Sequence, residues 1–287
     1  MPDDGLTLRV MTFNLRGAGY PQDAPNSWSN RADLNVRTIR KYNPDLIGFQ
    51  ELQEGNLRTY RQQLGEYQWV LGKPSNEPGF YNYNAIYWKA EHFELLESGG
   101  MWLSETPHTW SKSWDAVFVR CANWVRLRAR QNGVELLHFN THLDHVGVQA
   151  RVNGSRQIIA KARELSQGKT AVIVSGDFNS IPWLPESGLP GKISFDDTSF
   201  HLFSSSGFRD AFLETGQSDT AHTHTYHGYQ GEGFSGLQHG MAQRIDWILL
   251  SDGESHLEAK NCQTARDSQP PIYPSDHYPV IADLWVL

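Results

Sequence analysis

The apolar positions along the chain alternate between two periods. Leu8–Phe13 is a short, mostly apolar run ending at Asn14, and Leu46–Phe49 repeats the pattern with Glu51 just past its end. Both read as buried strands. Between them Ala32, Val36 and Ile39 recur at helical spacing behind the N-cap candidates Ser29 and Asn30, and Pro44 marks the stop. Leu57, Tyr60 and Leu64 predict a second helix, with Gly65 as its C-terminal stop. Val117–Arg130 and Val134–Leu143 read as strands joined through Asn132-Gly133, a hairpin signal. Ile158, Ala162 and Leu165 then share a helical face, with Gly168 behind them, and Ala171–Val174 is a buried strand delivering Gly176-Asp177-Phe178-Asn179. Ile245–Leu250 and the alternating Val280, Ala282, Leu284 and Val286 give two last strands. Residues 182–240 are rich in Pro, Gly, Ser and His with few periodic runs, which predicts long functional loops instead of a second core. No linker, repeat or low-complexity tract divides the chain, so one α/β domain over residues 1–287 is expected.

Composition narrows the picture modestly. A net charge of −7 counts against a protein that holds long nucleic acid through phosphate contacts, though a local basic groove is compatible with it. The ten Trp hint at a binding cleft, but a large core also absorbs Trp. Cys121 and Cys262 have neither metal-ligand spacing nor a disulfide framework. The start, Met1-Pro2-Asp3-Asp4, lacks a basic segment followed by an apolar one, and no apolar run reaches the roughly 18 residues of a membrane span. A cytoplasmic protein without a membrane partner is the expectation.

The chemistry concentrates at strand ends. Asn14, Glu51, His142, Asp177, Asn179, Asp246, Asp276 and His277 all follow or interrupt apolar runs, where a buried strand has no structural need of them. Asn140, His142 and Asp144 sit at i, i+2, i+4, so an extended backbone projects them from one face. Oxygen ligands such as Glu51, Asp276 and the Asn14 amide suit Mg²⁺ or Mn²⁺ better than a closed zinc site. Such an ion neutralises developing charge on a phosphate ester while a positioned water attacks. Each residue also has a plainer reading. Asn14 can cap the Arg16-Gly17 turn, Glu51 can open a helix, His142 can be a satisfied structural histidine, and Asp177-Phe178-Asn179 can close a strand as an Asx turn. Asp246 resists this, because it interrupts the run Ile245-Trp247-Ile248. The His222-Thr223-His224-Thr225-Tyr226-His227 segment is open to a metal reading, an exposed-strand reading, or a place for His227 beside the substrate.

In order along the chain stand Thr12-Phe13-Asn14-Leu15-Arg16, Phe49-Gln50-Glu51, Asn140-Thr141-His142-Leu143-Asp144, Ser175-Gly176-Asp177-Phe178-Asn179, Arg244-Ile245-Asp246-Trp247-Ile248 and Ser275-Asp276-His277-Tyr278-Pro279. This ordered set resembles the endonuclease/exonuclease/phosphatase superfamily with its deoxyribonuclease-I-like fold. Thr141–His145, and Trp102–Pro107 with Trp114-Asp115, look closer to its deadenylase-like branch. The resemblance implies a four-layer α/β/β/α sandwich of two packed mixed sheets flanked by helices. It implies Glu51 as principal metal ligand with Asn14 beside it and Asp276 close to the ion. Asp177 would orient or deprotonate the attacking water, and Asn179 and His142 would hydrogen-bond the phosphoryl oxygens. His277, oriented by Asp246, would contact the phosphate or assist the water. Arg120, Asn140, Asp144 and His227 are the candidate substrate contacts.

Three functions are carried forward. The leading one is a metal-dependent phosphodiesterase or nuclease acting on nucleotides or short single-stranded nucleic acid. A phosphatase for a small phosphorylated metabolite or sugar competes with it, and a silent binding module is the remoter alternative. Trp102–Trp114 and the loops of 182–240 are expected to wall the site.

Overall fold

The computed structural model describes residues 5–182, 198–236 and 243–287. The strands are β1 (Leu6–Asn14), β2 (Leu46–Gln50), β3 (Tyr67–Val70), β4 (Pro74–Glu77), β5 (Phe80–Tyr83), β6 (Ile86–Lys89), β7 (Phe93–Trp102), β8 (Cys121–Ala129), β9 (Glu135–His142), β10 (Ala171–Asp177), β11 (Arg209–Asp210), β12 (Asp246–Ser251), β13 (Leu257–Thr264) and β14 (Val280–Val286). The helices are α1 (Trp28–Tyr42), α2 (Glu54–Gln63), α3 (Val148–Ser166), α4 (Ser199–Ser205) and α5 (Ala211–Glu214). One sheet has the order β13-β14-β1-β2-β6-β3, the other β11-β12-β10-β9-β8-β7, and β4-β5 forms a separate hairpin. Both large sheets are mixed, with β1 parallel to β2 and β9 parallel to β10.

Period-two alternation explains the layers. Leu8, Val10, Leu46, Leu136, Ile173, Ile248, Leu250 and Ala282 meet between the sheets. The residues between them face the helices. Met11, Phe13, Ile47 and Phe49 pack with Val36, Ile39, Leu57 and Tyr60 of α1 and α2. Leu137, Phe139, Val172 and Val174 pack with Ile158, Ile159 and Ala162 of α3. The result is the α/β/β/α sandwich that the resemblance implied.

The inner faces change character along their length. In β1 they run Leu8, Val10, Thr12, Asn14; in β9 Leu136, His138, Asn140, His142; in β10 Ile173, Ser175, Asp177. At mid-depth a polar seam ties the sheets together. Gln50 Nε2 donates to Asn140 Oδ1 (2.7 Å) and Thr12 Oγ1 (3.0 Å), and His138 Nε2 lies 2.8 Å from Ser175 Oγ. Gly48 makes room for this seam: a Cβ there would lie 2.3 Å from Ser175 Oγ.

Several elements differ from the sequence expectation. The strand expected from Val117 begins only at Cys121, because Val117 and Phe118 donate their N–H groups to Asp144 Oδ2 instead of to a neighbouring strand. β9 ends at His142, so Asp144 lies past the extended segment. The stretch 182–240 is more than loop. Within its described part α4 buries Phe203 against Phe178, and Phe208 and Phe212 are buried too. The expectations for residues 183–197 and 237–240 fall outside the described residues.

Candidate active site

The polar ends of β1, β2, β9, β10 and β12 open into one cleft of about 390 Å³ at the edge of the two sheets. Glu51, Arg120, His142, Asp177, Asn179, Asp276 and His277 line it. Asn14 and Asp246 are buried directly behind, in hydrogen-bond contact with lining residues.

Backbone form sets each group. β1 and β2 run parallel with Asn14 opposite Gln50, which brings Glu51 beside Asn14. Glu51 and Asn179 both adopt positive φ (56° and 46°), a conformation that costs energy and turns each side chain out of its strand into the cleft. β10 pairs with both neighbours so that Asp177 faces His142 on one side and Asp246 on the other.

The electrostatics separate into two groups. In the first, His277 Nδ1 donates to Asp246 Oδ2 (2.9 Å), while Nε2 faces Asp177 Oδ2 at 3.8 Å. Burial opposes a charged imidazole, but Asp246, by charge and hydrogen bond, and then Asp177 and Asp276 outweigh it and push His277 up to about 10. Burial, reinforced by the charge of Asp246, holds Asp177 well above the usual carboxylate range. Asp177 is oriented from two sides: Asn14 Nδ2 donates to Oδ2 (2.9 Å) and the Asn179 N–H to Oδ1 (3.0 Å). His142, 3.4 Å from Asp177 Oδ2, is held neutral, chiefly by burial and then by the Arg120 charge.

Asp177, Asp246 and His277 present ligand atoms within 4.8 Å of one another. With a proton on His277 favoured by both carboxylates, the trio is suited to proton handling. The second group, Glu51 with Asp276, fits a cation better. Burial and the neighbouring Asp276 charge raise Glu51, so the pair is short of positive charge, and both offer hard oxygen donors. Arg16 relieves it in part, with Nε 3.8 Å from Asp276 Oδ2.

Not every expected residue reaches the cleft. Asn14 turns its amide nitrogen to Glu51 (3.2 Å) and Asp177, and its oxygen accepts from the Arg16 N–H (2.9 Å). It bridges the two carboxylates. Asn140 is a core residue: its nitrogen donates to the carbonyls of Phe49 and Ala85 and its oxygen accepts from Gln50, leaving nothing for a substrate. Asp144 is likewise engaged by the N–H groups of Val117, Phe118, Val146 and Gly147. Those bonds outweigh its burial and keep it ionised below the ordinary range, so it fixes the loops that carry Arg120 and His145. His227 stacks on Tyr278 at 4.0 Å and Nδ1 accepts from the Gly231 N–H, away from the cleft lining. Among the described residues His222, His224 and His227 form no three-ligand group. Trp102 and Trp110 pack edge-on against each other, and no Trp among the described residues lines the cleft.

Other residues were not singled out from sequence. Arg16 lies over the Tyr20 ring (4.3 Å), His145 stacks on Phe118 (5.6 Å), and Tyr226 meets His277 edge-on (5.1 Å). All line the cleft, together with Asn76 and Asn82 from the β4–β5 hairpin. Arg16 had a signal, since it stands two residues past the strand-end Asn14. Tyr20, Phe118, His145 and Tyr226 come from segments outside the strands and helices, and Asn76 and Asn82 from short strands without an apolar alternation.

The profile of the Endonuclease/Exonuclease/phosphatase family matches residues 11–277. Among solved structures the chain is similar to an endonuclease/exonuclease/phosphatase from Bacteroides vulgatus, with 26% identity, 98% of this chain and 100% of that one covered, and a TM-score of 0.81. It is similar to a mannosyl-6-phosphatase from Bacteroides thetaiotaomicron VPI-5482, with 28% identity, coverage of 96% and 99%, and a TM-score of 0.79. A probable RNA exonuclease of Saccharomyces cerevisiae is 22% identical over 213 residues, 63% of this chain and 39% of that protein. The profile spans β1 to the residue that pairs with Asp246, so it takes in every strand end that builds the cleft, and the chain belongs to the endonuclease/exonuclease/phosphatase family.

Proposed function

We propose that the protein is a divalent-cation-dependent phosphoester hydrolase that releases phosphate from a small phosphorylated sugar. The observation carrying this is that Arg16, Arg120 and the His277 imidazolium converge on one cleft in a chain of net charge −7. Positive charge gathered at one point suits a single phosphate group; a polymer backbone is better served by a basic stripe. Arg120 lines the cleft, its Nε held 3.7 Å from Asp144 Oδ2, which fixes a guanidinium charge beside the place of the phosphate. The amides of Asn76 and Asn82 and the rings of Tyr20, Phe118 and Tyr226 suit a ring bearing hydroxyls, and the likeness to the mannosyl-6-phosphatase supports the same class.

Glu51 and Asp276 would hold Mg²⁺ or Mn²⁺, which supplies charge neutralisation at the phosphoryl oxygens. Asp177, with its affinity for a proton raised, takes the proton of the attacking water. Asn14 and Asn179 fix the orientation of its two oxygens. His277, held protonated by Asp246, and neutral His142 donate hydrogen bonds where negative charge grows.

A second reading, hydrolysis of nucleotides or short single strands, is favoured by the near-parallel Phe118–His145 pair (18°), a surface on which a base can stack. The deciding experiment measures phosphate or nucleotide release from sugar phosphates, nucleotides, short RNA and short DNA with Mg²⁺ or Mn²⁺ and after EDTA. Sugar phosphates should be hydrolysed fastest and EDTA should stop the reaction. Activity surviving exhaustive chelation, or nucleic acid cleaved faster than any sugar phosphate, refutes the proposal.

A further inference from the structure

A second hollow of about 410 Å³ lies beside the catalytic cleft and takes no part in the chemistry above. It is lined by the small residues Ala18, Gly19, Gly55 and Gly79 and by the rings of Phe80, Tyr81 and Tyr83. Phe80 and Tyr81 are exposed (38% and 44%), each with an edge-on ring neighbour, Tyr20 and Trp110, and each still presenting apolar surface to solvent.

The two hollows share a partition. Tyr20 lines the catalytic cleft and packs edge-on against Phe80 at 5.3 Å, and Phe80 lines the second hollow. Beneath the partition Gln53 joins both sides. Its oxygen accepts from the N–H groups of Ala18 and Gly19, and its nitrogen donates to Asn82 Oδ1 (2.7 Å) in the cleft. A ligand held by its phosphate at Arg16, Arg120 and His277 therefore has a preformed place for whatever is attached on its far side.

The chemistry of the hollow selects that attachment. The only ionic side chains among its described lining residues are Glu54 and Arg58, one of each sign, four residues apart on α2. A second phosphate would meet no net positive charge there. An uncharged ring presenting C–H bonds to the electron-rich ring faces, and hydroxyls to a carboxylate and a guanidinium, satisfies all of these groups. We propose that this hollow is a subsite for a neutral sugar unit linked to the phosphorylated one, so that the preferred substrate is a phosphorylated oligosaccharide and not the free sugar phosphate. This rests on the sugar-phosphate reading given above.

The test compares kcat/KM on a free hexose phosphate with that on a disaccharide phosphorylated on one ring, for wild type, Phe80→Ala and Arg58→Ala. Wild type should prefer the disaccharide by about tenfold, the scale of one or two stacking and hydrogen-bonding contacts, and both variants should pull the ratio toward one. The ratio is the readout because disturbance of Tyr20 through Phe80 would lower both rates alike. A parallel arm needs no catalysis: unphosphorylated disaccharide is titrated into the protein while the Gly19 and Gly79 amides are followed by NMR. Saturable shifts that Phe80→Ala abolishes support the subsite even if no sugar phosphate is hydrolysed, an outcome that would refute the proposed function alone. Hydrolysis of both sugar phosphates at equal efficiency with no amide shifts overturns the subsite and leaves the proposed function standing. Shifts produced by a dinucleotide and not by the disaccharide overturn it as well.

Discussion

Replacing Gly48 by Ala should weaken the whole molecule through one methyl group. The added Cβ would lie 2.3 Å from Ser175 Oγ, 2.8 Å from Asn140 Oδ1 and 2.9 Å from Asn140 Cγ. Neither neighbour can simply swing aside. Ser175 is hydrogen-bonded to His138, and Asn140 is held at three points by Phe49, Ala85 and Gln50. Overpacking a tight core costs about 1–3 kcal/mol. Displacing Ser175 and Asn140 loosens about two buried hydrogen bonds at roughly 1 kcal/mol each. The sum, about 3–5 kcal/mol, corresponds to a fall in Tm of roughly 5–8 °C for a domain of this size. Thermal unfolding followed by circular dichroism measures it directly. Ser175→Ala in the same chain removes the nearest clashing atom and should restore part of the loss, a non-additive effect expected only for groups in contact. Well below the lowered Tm, activity should also fall, because Glu51 stands three residues beyond Gly48. A Gly48→Ala protein melting within about 1 °C of wild type refutes the close-approach argument.

Three further outcomes are expected. Burial lowers His138 to about 3, so the folded state resists a proton that the unfolded chain accepts near 6.5. Its contribution is complete above about pH 6.5 and is lost as pH falls toward 3, up to about 5 kcal/mol; urea unfolding at several pH values should show this slope, flattened in His138→Gln. Asp177→Asn should lower turnover by about 10²–10⁴-fold at every metal concentration, because an amide takes no proton from water. Glu51→Gln should instead recover part of its activity at excess Mg²⁺ or Mn²⁺, and metal titrations that give the two variants the same response would contradict the roles assigned to them.

What the sequence made legible was direction along a strand; depth between the sheets was not legible. The apolar runs ending at Asn14, Glu51, His142 and Asp177 correctly marked ends that share one cleft, because a buried strand tolerates such groups only where the sheets open. Asn140 shows the limit. It faces the same way as His142, but two residues earlier on an extended chain places it about 6–7 Å deeper, beneath Gln50. Asp144 was misplaced for the opposite reason, since the strand ends before it and its carboxylate folds back onto loop amides. The β4–β5 hairpin has no apolar alternation to reveal it, because the pair it buries, Ser75 and Asn82, is polar, while Phe80 and Tyr81 are exposed. With it, Asn76, Asn82 and the rings of the second hollow went unseen.

The strand orders explain why the site and the fold stand or fall together. β14-β1-β2-β6 in one sheet and β12-β10-β9-β8 in the other have the same pattern, an antiparallel, a parallel and an antiparallel pairing. Asn14 at the end of β1 therefore matches Asp177 at the end of β10, and His277 ahead of β14 matches Asp246 at the start of β12. Three bonds of the site and its floor run between the sheets. Asn14 reaches Asp177 (2.9 Å), His277 reaches Asp246 (2.9 Å), and deeper down Gln50 reaches Asn140 (2.7 Å), each from one sheet to the other. A rigid shift of one sheet by a fraction of an ångström would stretch all three bonds at once, while each sheet kept its own ladder intact. The polar seam under the cleft thus sets the distance between Asp177 and its partners, and, on the proposed function, substitutions there should impair turnover before they unfold the chain.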